Sequence, residues 1–387
     1  MKFARFFFLV GVFAASAAAA SNPFKTSDEL DSKIRLGLSH LYNLEFDEGD
    51  KVFQSISSEA AEHPMVAFGK ASVQWWRLSV YVLETDPEES KKFLVDVNEC
   101  IRLSREKINR GDPTAEGYLC LGGAYGLLGR WQATNQEWMS AYFTGKKAIK
   151  YLRKALKVNP EMKDANMGLG IFDYYVATLP AVVRVLAFLG SGGDAQVGIR
   201  ELKVAATEGT YAQTPSRLFL TEIYSNPENK PEIALEYLVG LRQDYPVSPF
   251  IHMLHVIALY NHQRLDVLAK EAKSFQERVD NGTYKKVFAV QSRFALGAVD
   301  FKARRWEEAI KNFNLGIAAG TVKDPFYTWS YLYKGYALDA LGRRDDAIAQ
   351  YKEVLKQLRR WGSWDSAKKY MKKPFSATDE NLQKLKL

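Results

Sequence analysis

Residues 331–351 read YLYKGYALDALGRRDDAIAQY and carry a pattern that recurs along the chain. Small residues lie 12 positions apart, at Gly335 and Ala347, and the aromatic Tyr351 follows four positions later. Apolar residues between them recur every three or four positions, which is typical of amphipathic helices. The spacing predicts two antiparallel helices that approach closely because a small side chain on one meets a small side chain on the other. The aromatic residue is expected to fill the seam toward the next pair.

The same frame recurs in earlier units. Gly297 precedes Ala309 by 12 residues, Gly37 precedes Gly49 by the same interval, and an aromatic residue follows four positions later in both units. Second helices of two more units also match, with Ala148, Leu152, Ala155 and Pro160 in one and Ala234, Leu238, Leu241 and Pro246 in the other. This frame is typical of tetratricopeptide repeats, which are about 34 residues long. We predict an all-α fold, a right-handed superhelical α-solenoid of about eight helix hairpins over residues 21–367.

Four dipeptides mark expected helix starts, because proline lacks the N–H that would stay unpaired in a first turn and the residue before it can cap the helix. They are Asp86-Pro87, Asp112-Pro113, Asn226-Pro227 and Asp324-Pro325. Beyond the repeats, residues 368–387 are basic and lose the pattern. We expect a capping helix there, followed by a frayed tail.

The first twenty residues differ from the rest of the chain. Lys2 and Arg5 precede an apolar run that ends in small residues, and Ala18-x-Ala20 fits a cleavage site before Ser21. This layout predicts a secretory signal peptide over residues 1–20 and export to a periplasmic or extracellular location. The apolar run is shorter than the roughly 20 residues that a membrane span needs, although an uncleaved N-terminal anchor stays open as an alternative.

Composition limits the classes of function. The chain has 387 residues, 47% of them apolar, and carries 53 Lys+Arg against 45 Asp+Glu, for a net charge of +8. Such a chain can bury a core, which excludes intrinsic disorder. The charge excess is mild, and no Lys/Arg stripe interleaves with stacking aromatics in the sequence, so we predict no nucleic-acid partner. Cys100 and Cys120 are either one disulfide or a pair of small core residues.

Two units are longer than the frame requires, with extra residues near 123–147 and 171–195. The second insertion is strongly apolar, but Asp173, Pro180 and Arg184 interrupt it, so it does not qualify as a membrane span. Two interpretations are open. Lengthened helices bury these residues against adjacent hairpins, or the segment exposes an apolar surface for a partner, a lipid or the membrane interface. The contact residues would then be Tyr174, Tyr175, Leu179 and Phe188.

A series of glycine-flanked motifs occupies residues 166–206. They are Gly168-Leu169-Gly170-Ile171-Phe172, Leu179-Pro180, Phe188-Leu189-Gly190 and Gly193-Asp194, followed by Gly198 and Leu202. This series resembles the signature of the tetratricopeptide repeat protein 39 family, although Ser191 stands where the family favours phenylalanine. The resemblance implies an all-α repeat fold without known catalysis, in proteins linked to lipid handling and inclusion clearance. Those relatives are intracellular, whereas this chain has a predicted leader, so only the scaffold is carried over.

Catalytic motifs are missing from the sequence. It holds no Gly-x-Ser-x-Gly elbow, no His-Glu-x-x-His pair and no Cys-x-x-Cys. The glycine-rich turn at 190–194 lacks the Gly-Lys-Ser/Thr of a phosphate loop. His252, His255 and His262 share one predicted helix and are expected on the groove side, but no further metal ligand accompanies them. We therefore predict a non-enzymatic protein with no catalytic residue, no cofactor and no metal.

The predicted binding surface is the concave groove. In tetratricopeptide proteins the first helix of each hairpin lines that face, and its inward positions can be counted from the small residue. In two units these positions are Gln291, Phe294, Phe301, Lys302, Trp329, Leu332, Tyr336 and Asp339. Aromatics with scattered polar groups suit an extended or helical peptide. We predict a scaffold for protein or peptide partners; the alternative is a lipid, a small apolar ligand or a membrane surface contacted through the apolar insertion 171–190.

Overall fold

The computed structural model describes residues 23–386, except residue 25 and residues 60–61, 82–85, 112, 179–192, 322–323 and 358–361. In this part of the chain it contains 18 α-helices and one short 3₁₀ helix, and no strand. The prediction of an all-α solenoid is confirmed. The leader predicted at residues 1–20 lies outside the described residues.

Consecutive helices pack as eight hairpins within the described residues. The pairs are Asp28–Tyr42 (α1) with Phe46–Glu59 (α2), Pro64–Tyr81 (α3) with Pro87–Asn109 (α4), Ala115–Thr134 (α5) with Trp138–Val158 (α6), Ala165–Thr178 (α7) with Ala195–Glu208 (α8), Gln213–Ser225 (α9) with Pro231–Asp244 (α10), Pro249–Asn261 (α11) with Leu265–Asp280 (α12), Ala289–Lys302 (α13) with Trp306–Ala319 (α14), and Pro325–Ala340 (α15) with Arg344–Lys356 (α16). The 3₁₀ helix Lys286–Phe288 precedes α13, and Ser363–Lys372 (α17) and Asp379–Lys384 (α18) follow the last hairpin. The insertion near 123–147 lengthens α5 and α6.

Glycines in the first helices make room for aromatic rings. A Cβ added to Gly37 would lie 2.6 Å from the ring of Phe53, and a Cβ on Gly69 of the next hairpin would collide with the same ring. Phe53 therefore fills the seam toward the next hairpin, as the sequence predicts, and also packs back against its own. Gly335 and Tyr351 repeat this contact at the end of the solenoid. The contact of the aromatic ring with the glycine of its own hairpin was not expected from the sequence.

The predicted helix starts have mixed outcomes. Asp86 caps α4 and Asp324 caps α15 through their side chains, each followed by proline in the first turn, so these two predictions are confirmed. The prediction for Asn226 is wrong, because its N–H bonds to the carbonyl of Glu222 and closes the last turn of α9. At the remaining site Thr114 caps α5 instead, and residue 112 lies outside the described residues.

The first hairpin packs against the middle of the chain. Ser248 donates a hydrogen bond of 2.7 Å to the carbonyl of Tyr42, and the Tyr211 hydroxyl donates one of 2.6 Å to Asp31. These contacts span about half the length of the chain, so the stacked hairpins curl back on themselves instead of leaving an open spiral between the first and sixth units. The sequence did not predict this closure.

The C-terminal segment does not fray. Helix α17 packs on α16 and α15, and the residues after it return toward the first helices of the last three hairpins, where Phe375 and Leu382 are buried. The expectation of a frayed tail is wrong, because these two apolar side chains have an intramolecular site.

Candidate functional site

The structure brings most of the predicted groove residues together on neighbouring turns of α13 and α15, but it buries them. Phe294 and Phe301 are fully buried, and Trp329, Leu332 and Tyr336 are nearly so. The ring centroids of Phe301 and Tyr336 lie 6.3 Å apart. None of these five side chains is open to a partner while the surrounding chain keeps this arrangement.

The N-terminal part of the predicted groove is core between hairpins. Phe294 packs on Trp329, with ring centroids 6.3 Å apart, and Tyr333 packs on both. Gln291 donates a 2.6 Å hydrogen bond from its amide to Asp324, the residue that caps α15. These contacts hold the seventh hairpin to the eighth, so this part of the predicted site has a structural explanation.

The C-terminal part of the predicted groove holds a peptide segment of the same chain. The ring of Phe375 stacks on Tyr336, with centroids 4.7 Å apart and planes 26° apart, and lies 6.0 Å from the ring of Phe301. Tyr370 completes the aromatic pocket at 5.4 Å from Phe375. Such offset and edge contacts add to the hydrophobic gain from burying a large ring.

Polar side chains around this pocket bind the main chain of the segment. Asp339 accepts a 2.8 Å hydrogen bond from the N–H of Phe375. Arg344 donates hydrogen bonds of 2.8 Å to the carbonyls of Tyr370 and Met371. Tyr370 and Met371 belong to the last turn of α17, so Arg344 holds the end of that helix. Asp339 holds the non-helical residues that follow, through a main-chain N–H that every peptide except one with proline at that position offers.

Asp339 is the polar centre of the groove. Its carboxylate is fully buried and pairs with Arg344 at 2.9 Å. It also accepts a 2.8 Å hydrogen bond from the hydroxyl of Tyr351. A buried carboxylate is tolerated only when its oxygens are paired, and here the solenoid itself supplies two partners besides the C-terminal segment.

Lys302 binds the last part of the C-terminal segment. Its ammonium group donates to the carbonyl of Leu382 and lies 4.2 Å from the ring centroid of Tyr260 on α11. Burial, together with the nearby charge of Lys386, lowers the pKa of Lys302 to about 8. Lys386 in turn donates a 2.7 Å hydrogen bond to the carbonyl of Asn261. The segment therefore spans the first helices of three hairpins, α11, α13 and α15.

The sequence missed the partners on the C-terminal side of this site. Arg344 belongs to a second helix, which the repeat frame assigns to the outer face. Phe375 is a lone aromatic residue in a polar stretch, and Leu382 recurs with Leu385 at helical spacing. Those two features are the signals that could have marked them as anchors.

The predicted histidine group does not face an open groove. His252 and His255 are buried and approach the Glu271 carboxylate on α12, at 3.0 and 3.7 Å. Arg242 reaches the same oxygen at 3.5 Å. Hydrogen bonding to His252 and His255 holds the pKa of Glu271 well below its usual range. His262 follows α11 and does not join the group. Contacts with this one carboxylate join α10, α11 and α12.

Of the four residues predicted for the alternative apolar contact, the structure describes two. Tyr174 is buried in α7 and its hydroxyl bonds to Glu228, so this side chain is not exposed. Tyr175 is half-buried and donates a 2.7 Å hydrogen bond to Glu222. Leu179 and Phe188 lie outside the described residues.

Both cysteines are free, buried thiols. Burial raises the pKa of Cys100 to about 12, and Cys120 Sγ lies 3.2 Å from the sulfur of Met65. Of the two alternatives that the sequence left open, the structure has the pair of small core residues.

In the described ranges, no group of three or more His, Cys, Asp or Glu side chains is arranged to hold a metal ion. Nor does any described helix have the length and apolarity that a membrane crossing requires.

Comparison with known proteins finds distant structural similarities and no matching sequence. No protein-family model and no curated protein sequence matches it, so the resemblance to the tetratricopeptide repeat protein 39 family is not confirmed. The human IFIT1 dimer with m7Gppp-AAAA is similar at 13% identity and a TM-score of 0.44, over 90% of this chain and 88% of that one. NprR in complex with its cognate peptide NprX is similar at 11% identity and a TM-score of 0.38, over 92% and 87% of the two chains. At these values no residue or ligand carries across.

Proposed function

We propose that this chain is an exported, non-enzymatic repeat scaffold that binds protein or peptide segments in the groove formed by α11, α13 and α15. The observation that carries the proposal is that the groove binds the C-terminal segment of the same chain. Asp339 accepts a hydrogen bond from the N–H of Phe375, Lys302 donates one to the carbonyl of Leu382, and the ring of Phe375 is the aromatic anchor. A partner segment would bond to Asp339 and Lys302 through its own main chain, with an aromatic side chain in the pocket of Tyr336 and Phe301.

A partner must compete with the C-terminal segment. Because that segment is tethered, its effective concentration at the groove is high, in the millimolar range for a short flexible connection. The apparent affinity of any external peptide is lowered by the fraction of molecules in which the groove is occupied. Weakening the intramolecular segment should therefore strengthen binding of an external copy of the same sequence.

The test uses a fluorescein-labelled synthetic peptide with the sequence of residues 373–387, KPFSATDENLQKLKL, and measures fluorescence anisotropy. Full-length Phe375→Ala should bind this probe about 100-fold more tightly than the unsubstituted chain, since truncating a buried phenylalanine removes about 3 kcal/mol. Leu315→Ala, at an exposed position on α14, is the matched control and should bind like the unsubstituted chain.

A second probe, carrying alanine in place of the phenylalanine, separates specific from general binding. It should bind Phe375→Ala at least tenfold more weakly than the first probe, because it lacks the aromatic anchor. If Phe375→Ala binds neither probe, or binds both equally, the groove is only a packing site for the C-terminal segment and the proposal fails.

Export rests on the leader sequence alone. It predicts that the mature chain begins at Ser21, which N-terminal sequencing of protein from the exported compartment would check.

The alternative function, lipid or apolar ligand contact through residues 171–190, stays a prediction, and the burial of Tyr174 removes one of its four contact residues. The sequence-based prediction of no nucleic-acid partner also stays a prediction.

A further inference from the structure

The outer face of α6 is a continuous cationic stripe. The helix Trp138–Val158 contains no Asp or Glu. Its six basic residues are Lys146, Lys147, Lys150, Arg153, Lys154 and Lys157. At about 100° per residue these positions fall within a sector of about 120°. Ala148, Leu152 and Ala155 occupy the opposite, buried side.

Among the described residues, no carboxylate lies within ion-pairing distance of the five lysines of this stripe. Instead Lys147, Lys150 and Lys154 lie over tyrosine rings, at 5.7, 5.8 and 5.3 Å from the centroids of Tyr125, Tyr151 and Tyr118 respectively. Those three rings form a stack with centroid separations of 6.3 and 5.9 Å. The expectation that no cationic stripe accompanies stacking aromatics is therefore wrong for this helix, because two of its lysines meet tyrosines of α5 that are distant in sequence.

Arg153 differs from the lysines in having carboxyl groups close by. Its charge acts on Asp173 of α7 and Glu201 of α8, although no ion pair forms. The stripe therefore carries its unbalanced charge mainly on lysine ammonium groups.

Large apolar side chains extend the same face at its N-terminal end. Met139 and Phe143 are 47% and 53% exposed, and both lie in the sector of the lysines. Trp138 beside them is 45% exposed. Three large apolar side chains exposed within two helical turns form an apolar surface beside the lysines. Aromatic and apolar residues next to lysines are the composition of helices that lie in a membrane interface.

We propose that the outer face of α6 docks on an anionic lipid membrane, with Met139, Phe143 and Trp138 entering the boundary between headgroups and acyl chains and the lysines contacting lipid phosphates. A helix of this length presents about 30 Å of surface, which suits a flat membrane. A nucleic acid would use the cations but would leave the three apolar side chains in water. Its bases would also find the tyrosine stack already covered by lysine side chains.

The experiment is flotation of the full chain with vesicles of equal parts phosphatidylglycerol and phosphatidylcholine, alongside vesicles of phosphatidylcholine alone. The chain should float with the anionic vesicles and stay behind with the neutral ones, and added salt should weaken the binding. The triple variant Lys150→Gln, Lys154→Gln, Lys157→Gln should bind about 100-fold more weakly, because each cation near an anionic surface contributes about fivefold. The control Lys270→Gln, Lys311→Gln, Lys352→Gln removes the same charge at exposed sites elsewhere and should bind normally.

A second variant separates a membrane from other polyanions. Met139→Ser with Phe143→Ser should reduce vesicle binding at least tenfold while leaving binding to a single-stranded oligonucleotide or to heparin unchanged. Circular dichroism checks that both variants keep their helix content. Equal binding to neutral vesicles, binding to the soluble polyanions without flotation, or a control triple that fails like the α6 triple would each overturn the proposal.

Discussion

Replacing Gly198 by alanine should separate two helices that are in main-chain contact. A Cβ at this position would lie 2.6 Å from the carbonyl oxygen of Gly170 and 2.6 Å from the backbone nitrogen of Tyr174. Both obstacles belong to the backbone of α7, so no side-chain rotation can remove them. The helices α7 and α8 would have to move apart, and the packing of Tyr174 and Leu202 between them would loosen.

The expected size of the effect follows from two opposing terms. Forcing extra volume into a tight contact costs about 1 to 3 kcal/mol, and this case belongs at the upper end because the backbone must move. Alanine is a better helix former than glycine and returns about 1 kcal/mol. The free energy of unfolding of this hairpin should fall by about 2 kcal/mol. Gly126→Ala is the matched control, since nothing lies within 4 Å of its added Cβ and it should stabilise α5 slightly.

Hydrogen exchange followed by mass spectrometry is the appropriate assay, because a repeat protein can open one unit at a time and a single melting temperature would average over units. Peptides from α7 and α8 should exchange about 30-fold faster in Gly198→Ala, as expected for about 2 kcal/mol, while peptides from α13 to α16 should not change. Protection of α7 and α8 equal to that of the unsubstituted chain would show that the close approach of Gly198 and Gly170 does not exist in solution.

Three further predictions concern the C-terminal segment, one carboxyl group and the cysteines. Phe375→Ala should speed hydrogen exchange in α18 and leave α1 to α10 unchanged, because it removes the anchor of that segment alone; slower or equal exchange in α18 would count against the docking. Burial and the nearby Asp173 raise the pKa of Glu201 to about 7, from an ordinary value of 4.5. The folded chain therefore keeps this proton to a higher pH than the unfolded chain, and stability should fall between pH 4.5 and 7 by about 1 kcal/mol, discounted because the group is half exposed. Glu201→Gln should lose that dependence in melting curves. Iodoacetamide should label neither cysteine until the chain unfolds, because both thiols are buried and the pKa of Cys100 is raised to about 12; rapid labelling of the native chain would contradict the structure.

The hairpins could be predicted because their signal is local. Gly37 and Gly49 are 12 positions apart and meet within one hairpin, where a Cβ on Gly49 would lie 3.5 Å from the carbonyl oxygen of Gly37, so a fixed spacing is enough to identify them. The caps at Asp86 and Asp324 are equally local, since each side chain binds N–H groups two or three positions ahead. The prediction of a helix start at Asn226 was wrong because asparagine also ends helices. A following proline is compatible with either a helix start or a helix end.

The groove illustrates what a repeat frame leaves out. Counting from the small residues selected Tyr336, Asp339 and Lys302, and these do surround one site. The frame gives direction around a helix, but it cannot tell an open concave face from a face that a distant segment covers. The covering residues Phe375 and Leu382 lie 36 to 80 positions from the side chains that hold them, and no periodicity connects positions so far apart.

The energetic balance at Asp339 favours exchange of the occupant over permanent closure. If the C-terminal segment leaves, Asp339 keeps Arg344 and the hydroxyl of Tyr351 as partners, so release strands no buried charge. The loss is then the burial of Phe375 and Leu382, about 2 kcal/mol each, and the main-chain hydrogen bonds at Phe375 and Leu382, about 1 kcal/mol each. A total of about 6 kcal/mol corresponds to roughly 20,000-fold, which a partner segment with its own aromatic and aliphatic anchors can match. A groove whose carboxylate depended on the C-terminal segment alone could not open at this scale, because the unpaired charge would add several kcal/mol more.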